Sequence, residues 1–133
     1  AKEYPQEWIQ KKSGKKVVLY HISESILAEE KQAAIEKAKR ALQIFEENKN
    51  ALTLLWIKDR VAERYLKDAD GILWDSFESL WEDMAKKDWC IGSTTEYEDM
   101  AVDFCDAYYG DRSYIVNRMA LLKKPIMIEN TNI

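Results

Sequence analysis

Carboxylates are the reactive groups that recur at regular spacing in this chain. Four of them follow one another at intervals of three or four residues: Glu96, Asp99, Asp103 and Asp106. On an α-helix these positions fall within about 80° of one another and form one acidic stripe. A second, shorter stripe comprises Asp75, Glu78 and Glu82. Such stripes can replace nucleic-acid phosphates against the Lys and Arg side chains of a basic protein, or bind Mg²⁺ or Ca²⁺.

Both stripes lie in one segment, residues 68–111, which we call the acidic segment. The chain has a formal net charge of −4, yet this segment contains 13 Asp or Glu and only two lysines. Residues 1–67 and 112–133 are both net basic. Three explanations stay open: the basic ends neutralise the acidic segment within the fold, the acidic segment docks a basic partner, or its charge serves only solubility.

Two tryptophans accompany the second stripe. Trp74 and Trp81 are seven residues apart, so they lie on one side of a helix. They suit either the hydrophobic core or an interface, where Trp commonly carries binding energy. The candidate partner-binding residues are therefore the seven carboxylates of the two stripes and both tryptophans.

Other site chemistries have too few residues. His21 is the only histidine, and a lone His is more often a packed or surface residue than the base of a Ser-His-Asp triad. Zinc needs three or four ligands, whereas Cys90 and Cys105 are far apart in sequence. A di-iron motif needs Glu three residues before His, where Val18 stands. Since no glycine-centred calcium or phosphate loop is present either, we predict no catalytic residue, no metal ion and no cofactor.

The compartment is predicted from what the sequence lacks. Two separated cysteines indicate free thiols in a reducing compartment rather than a disulfide framework. No apolar run approaches the roughly 18 residues of a membrane span, and the first residues lack the apolar core of a signal peptide. We expect a cytoplasmic protein with no membrane contact. Direct nucleic-acid binding is disfavoured, because phosphates require Lys and Arg, and the acidic segment has only two lysines and no arginine.

The periodicity of apolar residues predicts a mainly α fold in one compact domain over residues 1–133. Four Gly and two Pro are few breakers, which favours long helices. After an irregular lead-in over 1–14, short strands are expected near the two termini, open to pairing with each other. The expected strands are residues 15–22 and 125–129. The five expected helices are residues 23–48, 51–68 and 72–87, one capped by Ser93 and Glu96 that carries the first stripe, and one between Asp111 and Pro125.

The end of the chain contains a short family resemblance. Tyr108-Tyr109-Gly110-Asp111, a predicted helix and the strand at 125–129 follow one another over about 22 residues. This succession resembles part of the barstar family of ribonuclease inhibitors, in which a Tyr-Tyr-Gly turn opens an acidic helix that plugs a basic active site. The positions that match the family's inhibitory aspartates are Tyr114 and Arg118 here. The resemblance therefore implies only an analogy for how an acidic surface inhibits an enzyme.

The leading hypothesis from these observations is a small acidic inhibitor or regulator that is not an enzyme. It would occupy a basic, nucleic-acid-binding surface of a partner protein as a nucleic-acid mimic, by analogy with phage or plasmid anti-defence proteins. The alternative is a structural or assembly module, in which acidic and basic faces pair between copies in a homo-oligomer. An enzyme with an unrecognised site is the third hypothesis.

Overall fold

Five short apolar runs form the strands of one parallel β-sheet. The structure, a computed structural model, describes residues 3–129. The strands are β1 (Lys16–His21), β2 (Leu52–Lys58), β3 (Cys90–Thr94), β4 (Ala107–Gly110) and β5 (Ile126–Ile128). Their order across the sheet is β3-β2-β1-β4-β5, and each neighbouring pair is parallel.

Residues 3–129 also form seven α-helices and one 3₁₀ turn, of which the first helix precedes β1 and the others connect the strands. The helices are α1 (Gln6–Lys12), α2 (Glu24–Glu30), α3 (Gln32–Glu47), α4 (Arg60–Ala69), α5 (Gly71–Ala85), α6 (Glu98–Phe104) and α7 (Tyr114–Leu121), and the 3₁₀ turn is Thr95–Tyr97. Ser23, Asp59 and Asp70 cap α2, α4 and α5 by accepting hydrogen bonds from first-turn N–H groups. These caps define where the chain turns into each helix.

The sheet separates two hydrophobic cores, because successive side chains of a strand point to opposite faces. Helices α2 to α5 cover one face, where Tyr20 and Trp56 pack. Helices α1, α6 and α7 cover the other face, where Leu19 and Leu55 pack. All four side chains are fully buried. The architecture is therefore a doubly wound α/β layer with its central strands covered on both sides.

The expectation of a mainly α, five-helix fold is wrong, and β2 shows why. Residues 51–68 were expected to form one helix, since Leu54 and Ile57 have helical spacing, but residues 52–58 are a strand. Leu54 packs in one core and Ile57 in the other. A parallel strand buried on both faces is apolar at nearly every position, so its run contains helical spacings by coincidence.

The helix expected after Ser93 is also shorter than the first stripe requires. Ser93 lies buried in β3 instead of capping a helix, and α6 ends at Phe104. The segment expected as an irregular lead-in contains α1. Both terminal strands are confirmed as β1 and β5, but β4 lies between them, so they do not pair with each other. The third and fifth expected helices are confirmed as α5 and α7.

The length and hydropathy of the helices bear on whether one of them could cross a membrane. Within residues 3–129, no helix combines the length and the apolar character that crossing a membrane requires.

Candidate functional site at the carboxyl edge of the sheet

The carboxyl edge of the sheet contains the point at which the chain reverses its direction across the sheet. From β1 the chain proceeds through β2 to β3, and it then crosses back so that β4 and β5 lie on the other side of β1. The loops after β1 and β4 therefore diverge and leave a crevice. Ligands of open α/β sheets bind in such crevices, so the polar residues there are the first candidates for a site.

His21 is the last residue of β1 and lies at this crevice with an exposed fraction of 0%. Its Nδ1 atom lies 3.2 Å from Ser113 Oγ, and its Nε2 atom lies 3.6 Å from Asp59 Oδ2. The second distance exceeds a hydrogen bond, so Nε2 has no hydrogen-bond partner among the described residues. A buried polar atom without a full partner is costly to a fold, which makes His21 a candidate functional group.

Asp59 follows β2 and faces His21. Its Oδ1 accepts hydrogen bonds from the N–H groups of Val61 at 2.8 Å and Ala62 at 3.3 Å, while Oδ2 is the atom near the ring. Burial raises the pKa of the Asp59 carboxyl, but His21 and the two N–H groups outweigh burial and leave that pKa below its usual value. Asp59 is therefore a buried carboxylate at neutral pH.

The end of β4 approaches β1 so closely that residue 110 must be glycine. A Cβ on Gly110 would collide with the His21 carbonyl oxygen, and the Gly110 φ of +151° is one that few other residues adopt. Asp111 follows, and its Oδ2 accepts a hydrogen bond of 2.7 Å from the Ser23 N–H. Burial raises the pKa of Asp111, although the Ser23 N–H and His21 oppose this effect. Asp111 thus links the end of β4 to the beginning of α2 beside His21.

Helix α7 begins at the same edge without a side-chain cap. Ser113 occupies the N-cap position, but its hydroxyl is turned to His21. In the described part of the chain, the N–H groups of Tyr114 and Ile115 have no hydrogen-bond acceptor. Arg112 is exposed and forms no ion pair within residues 3–129. Free N–H groups at the positive end of a helix dipole, beside an arginine, form a favourable position for an anion.

His21, Asp59 and the residues that open α7 line one cleft of about 350 Å³, whereas Asp111 and Ile115 lie outside its lining. We call it the edge cleft and define it by His21, Ser23, Glu24, Asp59, Arg112 and Ser113. Its hydrogen-bond donors are at the α7 side, where Arg112 and the α7 N–H groups lie. Its carboxylates, Glu24 and Asp59, are at the α2 and α4 side. The edge cleft therefore offers donors for an anionic group and acceptors for hydroxyl groups within one crevice.

The residues of the first stripe do not share one helix face. Glu96 lies in the 3₁₀ turn, where it forms an ion pair with Arg60. Asp99 lies on α6 and forms an ion pair with Arg118. Both carboxylates therefore have an arginine partner within the fold.

The two remaining carboxylates of the first stripe contact Tyr4, which precedes α1, and Val17 in β1. Asp103 accepts a hydrogen bond from the Tyr4 hydroxyl. Asp106 lies after the end of α6, and its Oδ2 accepts a hydrogen bond of 2.9 Å from the Val17 N–H. These contacts attach the α6 region to the beginning of the chain.

The second stripe does lie on one helix, α5. Asp75 and Glu82 are exposed, and neither forms an ion pair in the described residues. Glu78 is half-buried and accepts a hydrogen bond of 3.0 Å from the Lys58 ammonium. The structure thus divides this stripe into one internal ion pair and two free surface carboxylates.

The two tryptophans of α5 have different environments. Trp74 is fully buried in the core beneath α5. Trp81 is half-buried, and its indole N–H donates a hydrogen bond of 3.1 Å to the Trp56 carbonyl oxygen. The Lys58 ammonium lies 4.3 Å from the centre of its ring. Of the two, only Trp81 has surface that a partner can contact.

Metal ligands and thiols add nothing to the edge cleft. In residues 3–129, no group of three or more His, Cys, Asp or Glu is arranged to hold a metal ion. Cys90 and Cys105 are free and buried, in different cores. Burial raises the pKa of the Cys90 thiol to about 12, against the opposing charge of Lys11. Neither thiol is therefore placed as a nucleophile.

The sequence alone does not predict the edge cleft. Its pattern does not connect His21 with Asp59 and Ser113, because these neighbours are remote in the chain. One pattern does mark them: a polar residue follows each apolar run where a buried strand ends. That pattern becomes informative only when the runs are interpreted as parallel strands, whose carboxyl ends meet at one edge.

Comparisons with known proteins leave the cleft to be interpreted from its own geometry. No family model matches the chain, and neither a curated protein nor a solved structure matches it.

Proposed function

We propose that the chain is a ligand-binding α/β domain that holds a small anionic, hydroxyl-bearing molecule in the edge cleft, with sugar phosphates as the ligand class. One observation carries this proposal: Ser113 leaves the first turn of α7 uncapped at the switch point of the sheet. The anionic group would accept hydrogen bonds from the Tyr114 and Ile115 N–H groups and pair with Arg112. Without a ligand, the Tyr114 and Ile115 N–H groups would have only water as a hydrogen-bond acceptor.

The opposite side of the edge cleft supports the hydroxyl-bearing part of the ligand. Carboxylates bind sugar hydroxyls well, because each hydroxyl donates a hydrogen bond to a charged acceptor. Asp59 and Glu24 lie at the end of β2 and the beginning of α2, across the crevice from α7. A second anionic group would be repelled there, so the ligand has one charged end and one polar, uncharged end.

The test is binding of ribose 5-phosphate, measured by calorimetry and by thermal shift, with ribose as the uncharged comparison. At ten times Kd, ribose 5-phosphate should stabilise the fold by about 1.4 kcal/mol.

Tyr114→Pro should weaken binding about tenfold, since proline at this first helical position removes one N–H and leaves the helix intact. Tyr114→Ala is the control for the lost ring. Arg112→Ala should weaken binding about fivefold, whereas Arg40→Ala on α3 should not.

Two results would contradict the proposal. Ribose 5-phosphate binding no better than ribose would show that no anion position exists. Binding that is equal in wild type, Tyr114→Pro and Arg112→Ala would show that the phosphate is held elsewhere. We propose a cytoplasmic location as well, which the two buried free thiols support.

The acidic inhibitor is the second candidate function. It is supported by Asp75 and Glu82, which are exposed on α5 without an ion pair in the described residues. Trp81, on the same helix, is half-buried. A basic partner protein would contact this face of α5, because the carboxylates near α6 already have arginine partners. Charge reversal on α5, described in the Discussion, tests this candidate.

A further inference from the structure

Three side chains from three strand ends form a chain of contacts beneath the edge cleft. Asp59 Oδ2 lies 3.6 Å from His21 Nε2, and His21 Nδ1 lies 3.2 Å from Ser113 Oγ. His21 has no exposed surface, whereas Ser113 is half-buried and lines the cleft. A ligand in the edge cleft would therefore contact Ser113, and Ser113 in turn contacts the His21 ring behind it.

The direction of the Ser113–His21 hydrogen bond follows from Asp59. In a neutral imidazole, one nitrogen carries the proton and the other is an acceptor. Asp59 is a carboxylate with no proton to donate, so it favours the tautomer with the proton on Nε2. The other nearby carboxyl, Asp111, is turned to the Ser23 N–H through its Oδ2 atom. Nδ1 then carries the lone pair and accepts a hydrogen bond from the Ser113 hydroxyl.

We propose that Ser113 determines the ligand specificity of the edge cleft by presenting only acceptor lone pairs to the ligand, with His21 as the residue that positions it. The Ser113 proton is engaged by Nδ1, so Oγ is left to accept a hydrogen bond, which a ligand hydroxyl beside the anionic group can donate. This inference rests on the proposed function, because it assigns the hydroxyl nearest the anionic end of the same ligand. The anionic end is held by Arg112 and the α7 N–H groups.

The tautomer is measurable without any ligand, because the chain contains one histidine. Nitrogen-15 NMR of untagged, His-labelled protein distinguishes the two ring nitrogens and should show the proton on Nε2 and the lone pair on Nδ1. Asp59→Asn should move the proton to Nδ1, since an amide N–H would face Nε2 in place of the carboxylate oxygen. Asp70→Asn alters the cap of α5 in the same way and should leave the ring unchanged.

Binding then tests the specificity. Ser113→Ala should weaken binding of ribose 5-phosphate about tenfold and leave binding of sulfate unchanged, since sulfate has no proton to donate to Oγ. Ser113→Thr keeps the hydroxyl and should bind ribose 5-phosphate within about threefold of wild type.

The outcomes separate this inference from the proposed function. A wild-type proton on Nδ1, or an equal loss of both ligands in Ser113→Ala, would overturn the acceptor role while the anion position stands. If neither ligand binds wild type, the proposed function fails and the specificity fails with it. A proton on Nε2 together with a selective loss of ribose 5-phosphate supports the inference.

Discussion

The edge cleft and the acidic segment are both polar, but the fold brings the polar groups of the first together and spreads those of the second apart. The edge cleft collects a few polar groups from remote parts of the sequence, and it buries His21 and Asp59 against each other. The acidic segment is continuous in sequence, and the fold distributes its carboxylates over the 3₁₀ turn, α5, α6 and the entry to β4. Several of them form ion pairs with arginines or lysines from other elements.

This difference shows which kind of charge is informative about a site. Exposed carboxylates remain hydrated, so a run of them costs little and requires no ligand. Buried polar groups must be compensated, and within residues 3–129 the His21 Nε2 atom has only the Asp59 carboxylate, 3.6 Å away, to compensate it. The buried set therefore points to a site more strongly than the larger exposed set.

Gly110→Ala should have the largest effect, and it tests whether the edge cleft depends on close contact between β4 and β1. The new Cβ would collide with the His21 backbone, and the φ of Gly110 disfavours any side chain. We expect a loss of at least about 3 kcal/mol in the free energy of unfolding, measured by urea denaturation.

Gly71→Ala is the matched control for this prediction. Gly71 is the first residue of α5, and a Cβ there would meet no atom within 4 Å. The substitution should be neutral or should stabilise the fold by about 0.5–1 kcal/mol. Equal effects of the two substitutions would show that β4 does not need the close approach at His21.

Asp59→Asn and Asp111→Asn should change stability by on the order of 1 kcal/mol each, in opposite directions. The pKa of Asp59 is lowered by the fold, so its charge contributes stability that is present at neutral pH and lost as pH falls below its ordinary value of about 4. Asp59→Asn should therefore destabilise the protein at pH 7 and have little effect in acid. Asparagine can still cap α4, so the difference reports the charge.

The pKa of Asp111 is raised instead, so its contribution to stability changes with pH in the opposite direction. Its protonated form is favoured in the fold, and that contribution is full below about pH 4 and lost as pH rises through the raised pKa. Asp111→Asn keeps the acceptor for the Ser23 N–H and should stabilise the protein at pH 7. Unfolding curves between pH 3 and 7 measure both effects. Destabilisation by both variants at pH 7 would contradict the assigned direction for Asp111.

The same contrast explains how much of the fold was predictable from sequence. β1 and β5 were found because β-branched and apolar residues fill short runs with clear ends. α5 was found because its inward residues repeat at helical spacing over 15 residues. β2 was missed because a strand buried on both faces has no alternation, and β4 because its four residues are too few for a periodic signal.

The edge cleft was less predictable than the fold, because it exists only through topology. Asp59 and Ser113 are separated from His21 by 38 and 92 residues along the chain, and no local spacing connects them. Their meeting requires that β2 and β4 both flank β1 in parallel. Once the mainly α interpretation excluded a sheet, the polar residues at the strand ends had no reason to be grouped.

Charge reversal in the acidic segment should have the smallest effects, and its first variant is Asp99→Lys with Asp103→Lys. Asp99 pairs with Arg118, and Asp103 accepts a hydrogen bond from the Tyr4 hydroxyl. The variant removes both contacts and places a lysine next to Arg118. Asp99 is strongly exposed, so we expect a loss of only about 1–2 kcal/mol in total, measured by a thermal melt at low and high salt.

The matched variant on α5 is Asp75→Lys with Glu82→Lys, which should change stability by less than about 0.5 kcal/mol. Neither carboxylate forms an ion pair within residues 3–129, and the new lysines would lie three and four residues from Glu78, where opposite charges attract.

If the acidic inhibitor function holds, a basic protein captured by wild type in a salt-sensitive manner should not be captured by the α5 variant. The α6 variant should still capture it, because its carboxylates already have partners in the fold. Capture that survives reversal on α5, or that does not weaken as salt rises, would mean that the acidic segment serves the fold and its solubility rather than a basic partner.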